Sequence, residues 1–182
     1  VTAATKPLRR PRLAYVSPMP PERSGISDYS AELLPQLACH YDIDVILAQE
    51  LVSSHWNGAN CAIRTVQWFR QNAARYDRVL YHFGNSEFHQ HMFDLLQQIP
   101  GVVVLHDFFL SGIVAHMDAT GYKPEIWSSE LYHSHGYRAL KHRAQASDSA
   151  EVIYQYPCNF SVLQRASGVI IHSEYSRDMA IS

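Results

Sequence analysis

The sequence predicts an α/β domain in which a mostly parallel sheet lies between two layers of helices. Short apolar runs alternate with segments whose apolar residues recur at steps of three and four, as strands alternate with amphipathic helices. The first apolar run leads into a loop rich in Pro, Ser and Gly and then into a helical pattern, which is how a doubly wound domain begins. Gly101–Leu105 is the most apolar stretch, as expected of a central parallel strand buried on both faces.

The first unit, Leu13–Leu34, contains the strand, loop and helix start around which the chain is organised. Leu13–Val16 predicts a buried strand, and the loop after it contains three prolines. The helix that follows has its apolar stripe at Ile26, Tyr29, Leu33, Leu34, Leu37 and Tyr41. We expect Ser27 or Asp28 to cap this helix and Pro35 to bend or break it near Leu34.

Gly25 stands where this loop enters the helix. Because glycine has no Cβ, it lets backbone N–H groups approach an anion at the helix N-terminus, where the dipole favours negative charge. The alternative is a connecting turn whose glycine only satisfies backbone geometry.

The alternation continues through the middle of the chain. The predicted strands are Tyr41–Leu47, Ile63–Val66, Asp77–Phe83 and Gly101–Leu105. Between them we expect a polar connection at Gln49–Ala62 with Asn57-Gly58 as its turn, a helix at Gln67–Tyr76, and a helix that Ser86 caps and Pro100-Gly101 ends, with Gly101 near the C′ position.

The second half departs from this pattern before it returns to it. A helix is predicted at Phe108–Met117, followed by a helical insertion over about 117–155, where aromatic and leucine residues lie among His, Ser and charged residues. A helix at Asn159–Ala166, a last strand at Ser167–His172 and a helix opening at Ser173-Glu174 complete the chain. That helix has barely two turns, so we expect the chain to be a fragment of a longer protein.

Composition restricts the functional class. The chain has 182 residues with 15 basic and 17 acidic side chains, so we expect one domain (13–182, after a basic leader at 1–12) and no nucleic-acid partner. No apolar run approaches the ~20 residues of a membrane span, and no signal peptide is evident. Three widely spaced cysteines fit free thiols in a reducing compartment. We expect a cytoplasmic protein, with peripheral membrane contact through the leader as an open alternative.

Candidate site residues fall at the carboxyl ends of the predicted strands, where ligands bind in open α/β sheets. These ends are Pro18–Gly25, His82–Ser86, His106-Asp107 and His172–Glu174. Their histidines could exchange a proton near neutral pH or hydrogen-bond a sugar hydroxyl or phosphate, and Ser24, Asn85, Ser86 and Ser173 suit polyol recognition. Satisfied histidines in polar loops are the alternative.

Other site chemistries find less support in the sequence. Three imidazoles could form an open zinc site, as in a metal-dependent hydrolase, but this needs adjacent strands and aligned rotamers, so we expect no metal. The chain has no G-x-G-x-x-G motif, P-loop or nucleophile elbow, so we expect no cofactor.

Three segments, taken together, resemble the N-terminal domain of the group 1 glycosyltransferases (glycosyltransferase family 4), which is the N-terminal half of a GT-B fold and is Rossmann-like with three layers. These segments are Pro20–Ser30, Tyr81–His89 with Pro100–Asp107, and Ala166–Arg177. The resemblance covers Leu13 to about Met179. The chain departs from the family in lacking its C-terminal, donor-binding domain.

The resemblance implies a retaining glycosyltransferase, without metal or cofactor, that moves a sugar from a nucleotide-sugar donor to a glycan or lipid-linked acceptor, in polysaccharide biosynthesis. It implies that Ser24, Gly25 and Ile26 approach the donor phosphates and that His106 and Asp107 lie at the transferred sugar. The acceptor-binding residues are then His82, Asn85, Ser86, His172, Ser173 and Glu174. Without the donor domain, the chain alone should be inactive. A non-catalytic α/β binding module is the alternative function.

Overall fold

The protein, described by a computed structural model over residues 9–181, contains a six-stranded sheet in which every neighbouring pair of strands is parallel. The strands are β1 (Arg12–Val16), β2 (Asp42–Leu47), β3 (Ala62–Thr65), β4 (Arg78–Phe83), β5 (Val102–Leu105) and β6 (Gly168–Ile171). Most of the predicted basic leader lies outside the described residues. Its last part contacts the segments beside the sheet: Arg9 pairs with Asp77, just before β4, at 3.1 Å, and Arg10 donates to the carbonyl of Ala38, at the end of α1, at 2.8 Å.

The strand order is β3-β2-β1-β4-β5-β6, so the chain builds outward from β1 in one direction and then returns to build outward in the other. The order therefore reverses between β1 and β4, and a crevice opens there at the carboxyl ends of the strands. Val16, the last residue of β1, pairs with Tyr81, so β4 continues two residues beyond β1 and carries His82 into that crevice.

Helices cover both faces of the sheet. They are α1 (Gly25–Leu37), α2 (His55–Asn60), α3 (Val66–Asn72), α4 (Gln90–Gln98), α5 (Ser111–Ala119), α6 (Ile126–His135), α7 (Tyr137–Gln145), α8 (Ser149–Gln155), α9 (Phe160–Arg165) and α10 (Glu174–Ile181). Alternate residues of β1 point to opposite faces: Leu13 and Tyr15 pack in one apolar cluster with Leu34 of α1, whereas Ala14 and Val16 belong to a larger one. The fold is thus an α/β, Rossmann-like arrangement, as predicted.

The predicted helical insertion is confirmed as α6, α7 and α8. Trp127 and Leu131 of α6 are buried in the larger core cluster together with Ala139 of α7 and Val152 of α8. Arg143 lies 4.3 Å above the Trp127 ring, which adds a cation–π contact inside the insertion. The insertion therefore packs against the core of the domain. None of the helices described over residues 9–181 is both long and apolar enough to cross a bilayer.

The start of α1 differs from the prediction. Ser24, not Ser27 or Asp28, is the N-cap: its backbone is extended and its side chain accepts the Ile26 N–H at 3.2 Å. Ser27 is buried inside the first turn and cannot serve as a cap. The expected break at Pro35 is also wrong, because α1 continues to Leu37; the proline removes one hydrogen bond in the last turn, and burial of Leu34 holds that turn on the sheet.

Three other local predictions are wrong: the turn at Asn57-Gly58, the helix start at Phe108 and the helix cap at Gly101. Asn57-Gly58 lies within α2 rather than in a turn, and Asn57 is buried there. The helix predicted from Phe108 begins at Ser111, because the preceding backbone bonds elsewhere: Asn159 donates to the Phe108 carbonyl, and Leu110 donates to that of Pro157, both at 2.8 Å.

Gly101 is not a helix cap. A Cβ there would lie 2.8 Å from the Val79 carbonyl oxygen and 2.9 Å from the Tyr81 ring. Close approach of the chain to β4, rather than helix termination, explains the glycine at this position.

Candidate functional site

The three strand-end histidines meet at the carboxyl edge of the sheet, around the ring of Tyr29 from α1. The Tyr29 ring centroid lies 5.9 Å from that of His82, 4.9 Å from His106 and 5.8 Å from His172. The adjacency of β4, β5 and β6 places these histidines in a row, with His106 in the middle. Tyr29 was predicted only as part of the apolar stripe of α1, although its position four residues after Gly25 puts it on the same helix face.

His82 forms the buried floor of this cluster. Its side chain is inaccessible to solvent, and its Nδ1 lies 2.9 Å from His106 Nε2, so the two rings share one proton in a hydrogen bond. The Tyr15 ring packs against His82 at 4.5 Å, and His89 Nδ1–H donates to the His82 carbonyl at 2.8 Å. Burial, followed by the charge of His106, lowers the pKa of His82 to about 3. His82 is therefore neutral at physiological pH.

His106 is the member of the cluster that can meet a ligand, because its ring is partly exposed. Burial, followed by the charge of the neighbouring His172, lowers its pKa to about 4, although Asp107 acts in the opposite direction. At neutral pH the ring is an uncharged imidazole, with Nε2 engaged to His82 and Nδ1 left to donate or accept a hydrogen bond. Such a group suits a hydroxyl better than a permanent anion.

Asp107 and Asn85 tie the loop after β4 to the start of α5. Asp107 Oδ2 accepts the Asn85 N–H at 2.8 Å, and Asn85 Oδ1 accepts the Ile113 N–H at the same distance. A Cβ at Gly112 would lie 2.8 Å from Asn85 Nδ2, so the glycine makes room for this amide. Asn85, predicted to bind the acceptor, thus uses its carbonyl oxygen to cap α5, and its Nδ2 remains the group that a ligand can reach.

The N-terminus of α1 and the His106-Asp107 pair line the same cavity, of about 370 Å³, which we call the α1 cavity. Its wall consists of Arg23, Ser24, Gly25, Ile26, Asn85, Ser86, Phe88, His106 and Asp107. Gly25 has open space in front of it and adds no side chain to the cavity wall, whereas the N–H groups of Ile26, Ser27 and Asp28 are already bonded to Ser24. A Cβ at Gly84 would collide with Ile26 Cδ1 and lie 3.0 Å from His89 Nε2, so Gly84 allows α1 to pack close to β4.

Some of the predicted site residues lie outside the α1 cavity or have a different role from the one predicted. Ser173 and Glu174 do not line the α1 cavity; Ser173 Oγ accepts the Ser176 N–H at 3.1 Å and so caps α10. Ser86 lines the cavity, but its side chain makes no capping bond to the turn that it precedes, contrary to the prediction. The end of β6 therefore contributes only His172 to the cluster.

A second cavity, of about 390 Å³, adjoins the first across the ring of Phe88, which lines both. Its wall contains Ser17, Glu22, Gln49, Glu87, His91 and Tyr122, and we call it the acidic cavity. None of these six residues was predicted individually as a site residue, although Glu22 lies in the strand-end segment Pro18–Gly25 and Glu87 lies in the segment Tyr81–His89.

Two features elsewhere are distinct from these cavities. A third cavity, of about 520 Å³, lies between α4, α6 and α9 and touches none of the strand-end residues. Within residues 9–181, no three His, Cys, Asp or Glu side chains are grouped so as to hold a metal ion. The histidine row is hydrogen-bonded and stacked within itself, through the contact of His82 with His106 and the 4.8 Å separation of the His106 and His172 rings.

No protein-family model, curated protein or solved structure matches the chain.

Proposed function

We propose that this protein is the acceptor-side domain of a retaining glycosyltransferase that uses a nucleotide-sugar donor. One observation carries the proposal: a helix N-terminus suited to phosphate and an uncharged imidazole suited to a sugar hydroxyl line one cavity at the carboxyl edge of a parallel sheet. Phosphate and sugar are adjacent in a nucleotide sugar, so such a donor matches both groups at once.

The helix side of the cavity stabilises the leaving group. When the bond between sugar and phosphate breaks, negative charge develops on the departing phosphate oxygens. The N–H of Gly25, the positive end of the α1 dipole and the guanidinium of Arg23 lie on the side of the cavity where that charge develops. Because these groups are already in place before the reaction, they stabilise the transition state without reorganisation.

The imidazole side holds the transferred sugar. His106 Nε2 is engaged by His82, which leaves Nδ1 to bond a hydroxyl of that sugar, and Asp107, held by the Asn85 N–H, offers its other carboxylate oxygen to a neighbouring hydroxyl. These bonds orient the sugar with its anomeric carbon toward the acceptor. Contacts to the nucleotide base and ribose would come from a second domain, so the 182-residue chain should bind donors weakly and transfer nothing.

The test uses the complete parent reading frame, incubated with a panel of nucleoside diphosphate sugars and glycan acceptors, with mass spectrometry to detect transfer and NMR to define the anomer formed. We expect a product that retains the donor configuration. His106→Ala should lower transfer about 100-fold, whereas His40→Ala, at an exposed position outside both cavities, should leave it unchanged.

An inverted product, or transfer that survives His106→Ala, would contradict the proposal. Glycan binding by the parent protein without transfer from any donor would instead favour the non-catalytic binding module.

A further inference from the structure

The acidic cavity carries a net negative charge, whereas in the α1 cavity the charge of Arg23 offsets that of Asp107. Glu22 and Glu87 both line it, and neither forms an ion pair with any residue of the described chain. No lysine or arginine is part of its wall. Three cations are near its residues: Arg23, which follows Glu22, lines the α1 cavity; Lys123, which follows Tyr122, is paired with Asp94 at 2.5 Å; and Arg70, which influences the pKa of His91, is not part of the wall.

His91 adds no positive charge to this cavity. Burial, followed by the charges of His89 and Arg70, lowers the pKa of His91 to about 4, so its imidazole is neutral at physiological pH. Its Nε2 is buried and has no hydrogen-bond partner within residues 9–181. The charged groups of the cavity are thus two carboxylates, and the Gln90 amide and the Tyr122 hydroxyl are neutral polar groups of the same wall.

Two further residues of the wall, Gln49 and Tyr122, bear on what the cavity can hold. Gln49 is fixed, because its Oε1 accepts the Met19 N–H at 2.8 Å and its Nε2 donates to the carbonyls of Met19 and Leu51 at 2.7 Å. Tyr122 is 46% exposed and offers a ring face at the mouth, on which the C–H face of a sugar can pack. About 390 Å³ is ample for one monosaccharide unit.

From this geometry we infer that the acidic cavity binds a sugar residue of the acceptor that carries no negative charge, and that it prefers one with a free amino group. An ammonium group there would meet Glu22 and Glu87 with opposite charge, whereas a uronate or phosphate would meet two like charges. This inference rests on the proposed function in calling the ligand an acceptor. The binding preference itself depends only on the cavity.

The experiment compares three probes that differ at one group: glucosamine, glucose and glucuronate. Each is titrated into ¹⁵N-labelled 182-residue chain, and binding is followed at the backbone amides of Glu22, Glu87 and His91. We expect glucosamine to bind more tightly than glucose, and glucuronate to bind about tenfold more weakly than glucose at low salt. Added salt should narrow both differences.

A double variant, Glu22→Gln with Glu87→Gln, keeps the shape of the cavity and removes its charge. Neither carboxylate makes a hydrogen bond within residues 9–181, so the variant should fold as the parent does, and the amide spectrum verifies this. It should bind the three probes with nearly equal affinity. Glu32→Gln, at an exposed position of α1 outside the cavity, is the matched control and should keep the full preference.

Glucuronate binding as tight as glucose, shifts that map away from the acidic cavity, or no shift there with any probe would each overturn the inference. Failure of the proposed function has a different signature. In that case no nucleoside diphosphate sugar would shift the amides of Gly25 and Ile26, whatever the three probes do at Glu22 and Glu87.

Discussion

Acid should unfold this protein through the histidines buried beneath the site. His82 and His89 are both inaccessible to solvent, and burial is the main cause that lowers their pKa values to about 3 and about 4. In the unfolded chain each would titrate near 6.5. Below that pH the unfolded state therefore binds more protons than the folded state, and the free energy of unfolding falls as the pH falls.

The size of the effect follows from the number of protons. Each such histidine lowers the free energy of unfolding by about 1.4 kcal/mol per pH unit, so the pair gives about 2.7 kcal/mol per unit between roughly pH 6 and pH 4. Over two pH units this amounts to about 5 kcal/mol, which is comparable with the whole stability of a typical domain. The lowered pKa values of His91 and His106 act in the same direction.

The assay is urea unfolding at a series of pH values, followed by tryptophan fluorescence. His89→Asn places an amide where Nδ1 stood, so it keeps a donor for the His82 carbonyl and removes one titrating group. We expect it to reduce the slope of stability against pH by about 1.4 kcal/mol per unit. The same substitution at the exposed His40 controls for loss of a histidine as such. A slope that is the same in His89→Asn as in the parent would refute the assignment of the acid sensitivity to buried histidines.

Two further predictions concern the packing at Gly101 and the cap at Ser24, and both are tested by urea unfolding at neutral pH. Gly101→Ala should destabilise the fold by about 1–3 kcal/mol, because its Cβ would press on the backbone and side chain of Val79. The control is Gly58→Ala, whose Cβ meets open space within α2, and it should be neutral or stabilising by up to about 1 kcal/mol. Equal effects of the two substitutions would contradict the role assigned to Gly101. Ser24→Ala removes the cap on the Ile26 N–H and should lower the free energy of unfolding by about 1 kcal/mol, and Ser24→Asp should restore that stability. An alanine variant as stable as the parent would mean that another group caps α1.

The sequence predicted the strands well because each is a short apolar run with polar ends, and burial of such a run allows few other structures. It predicted the cap of α1 poorly for a tertiary reason. Ser30 bonds Tyr15 at 3.0 Å and Ser17 at 2.7 Å, so the polar face of α1 is drawn onto the sheet and Ser27 is buried with it. Local propensity favours any nearby serine as a cap, and only packing against the sheet selects Ser24.

For the site, the sequence predicted which residues stand at strand ends but not which strands are neighbours. The contact between His106 and His172 exists because β6 pairs with β5, and β6 is separated from β5 by some sixty residues of chain. His89 was missed for a related reason. Its contribution is a hydrogen bond to the carbonyl of His82, seven residues earlier, and no periodic pattern signals a contact to backbone.

The difference in charge between the acidic cavity and the α1 cavity depends on two consecutive residues. Glu22 and Arg23 are consecutive, yet Glu22 lines the acidic cavity and Arg23 lines the α1 cavity, with Phe88 between the two spaces. The Met19 carbonyl accepts the Glu22 N–H at 3.0 Å, and the Glu22 carbonyl accepts the Ser24 N–H at the same distance, so the loop is held in the turn that separates the two side chains. An exchange of these two residues would preserve composition and net charge, but it would pair Glu87 with an arginine in the acidic cavity and leave the α1 cavity with two carboxylates, one of them Asp107. Under the proposed function, that exchange would place a carboxylate beside the donor phosphates and a guanidinium beside the acceptor. It should therefore weaken the binding of both donor and acceptor more than the loss of either charge alone.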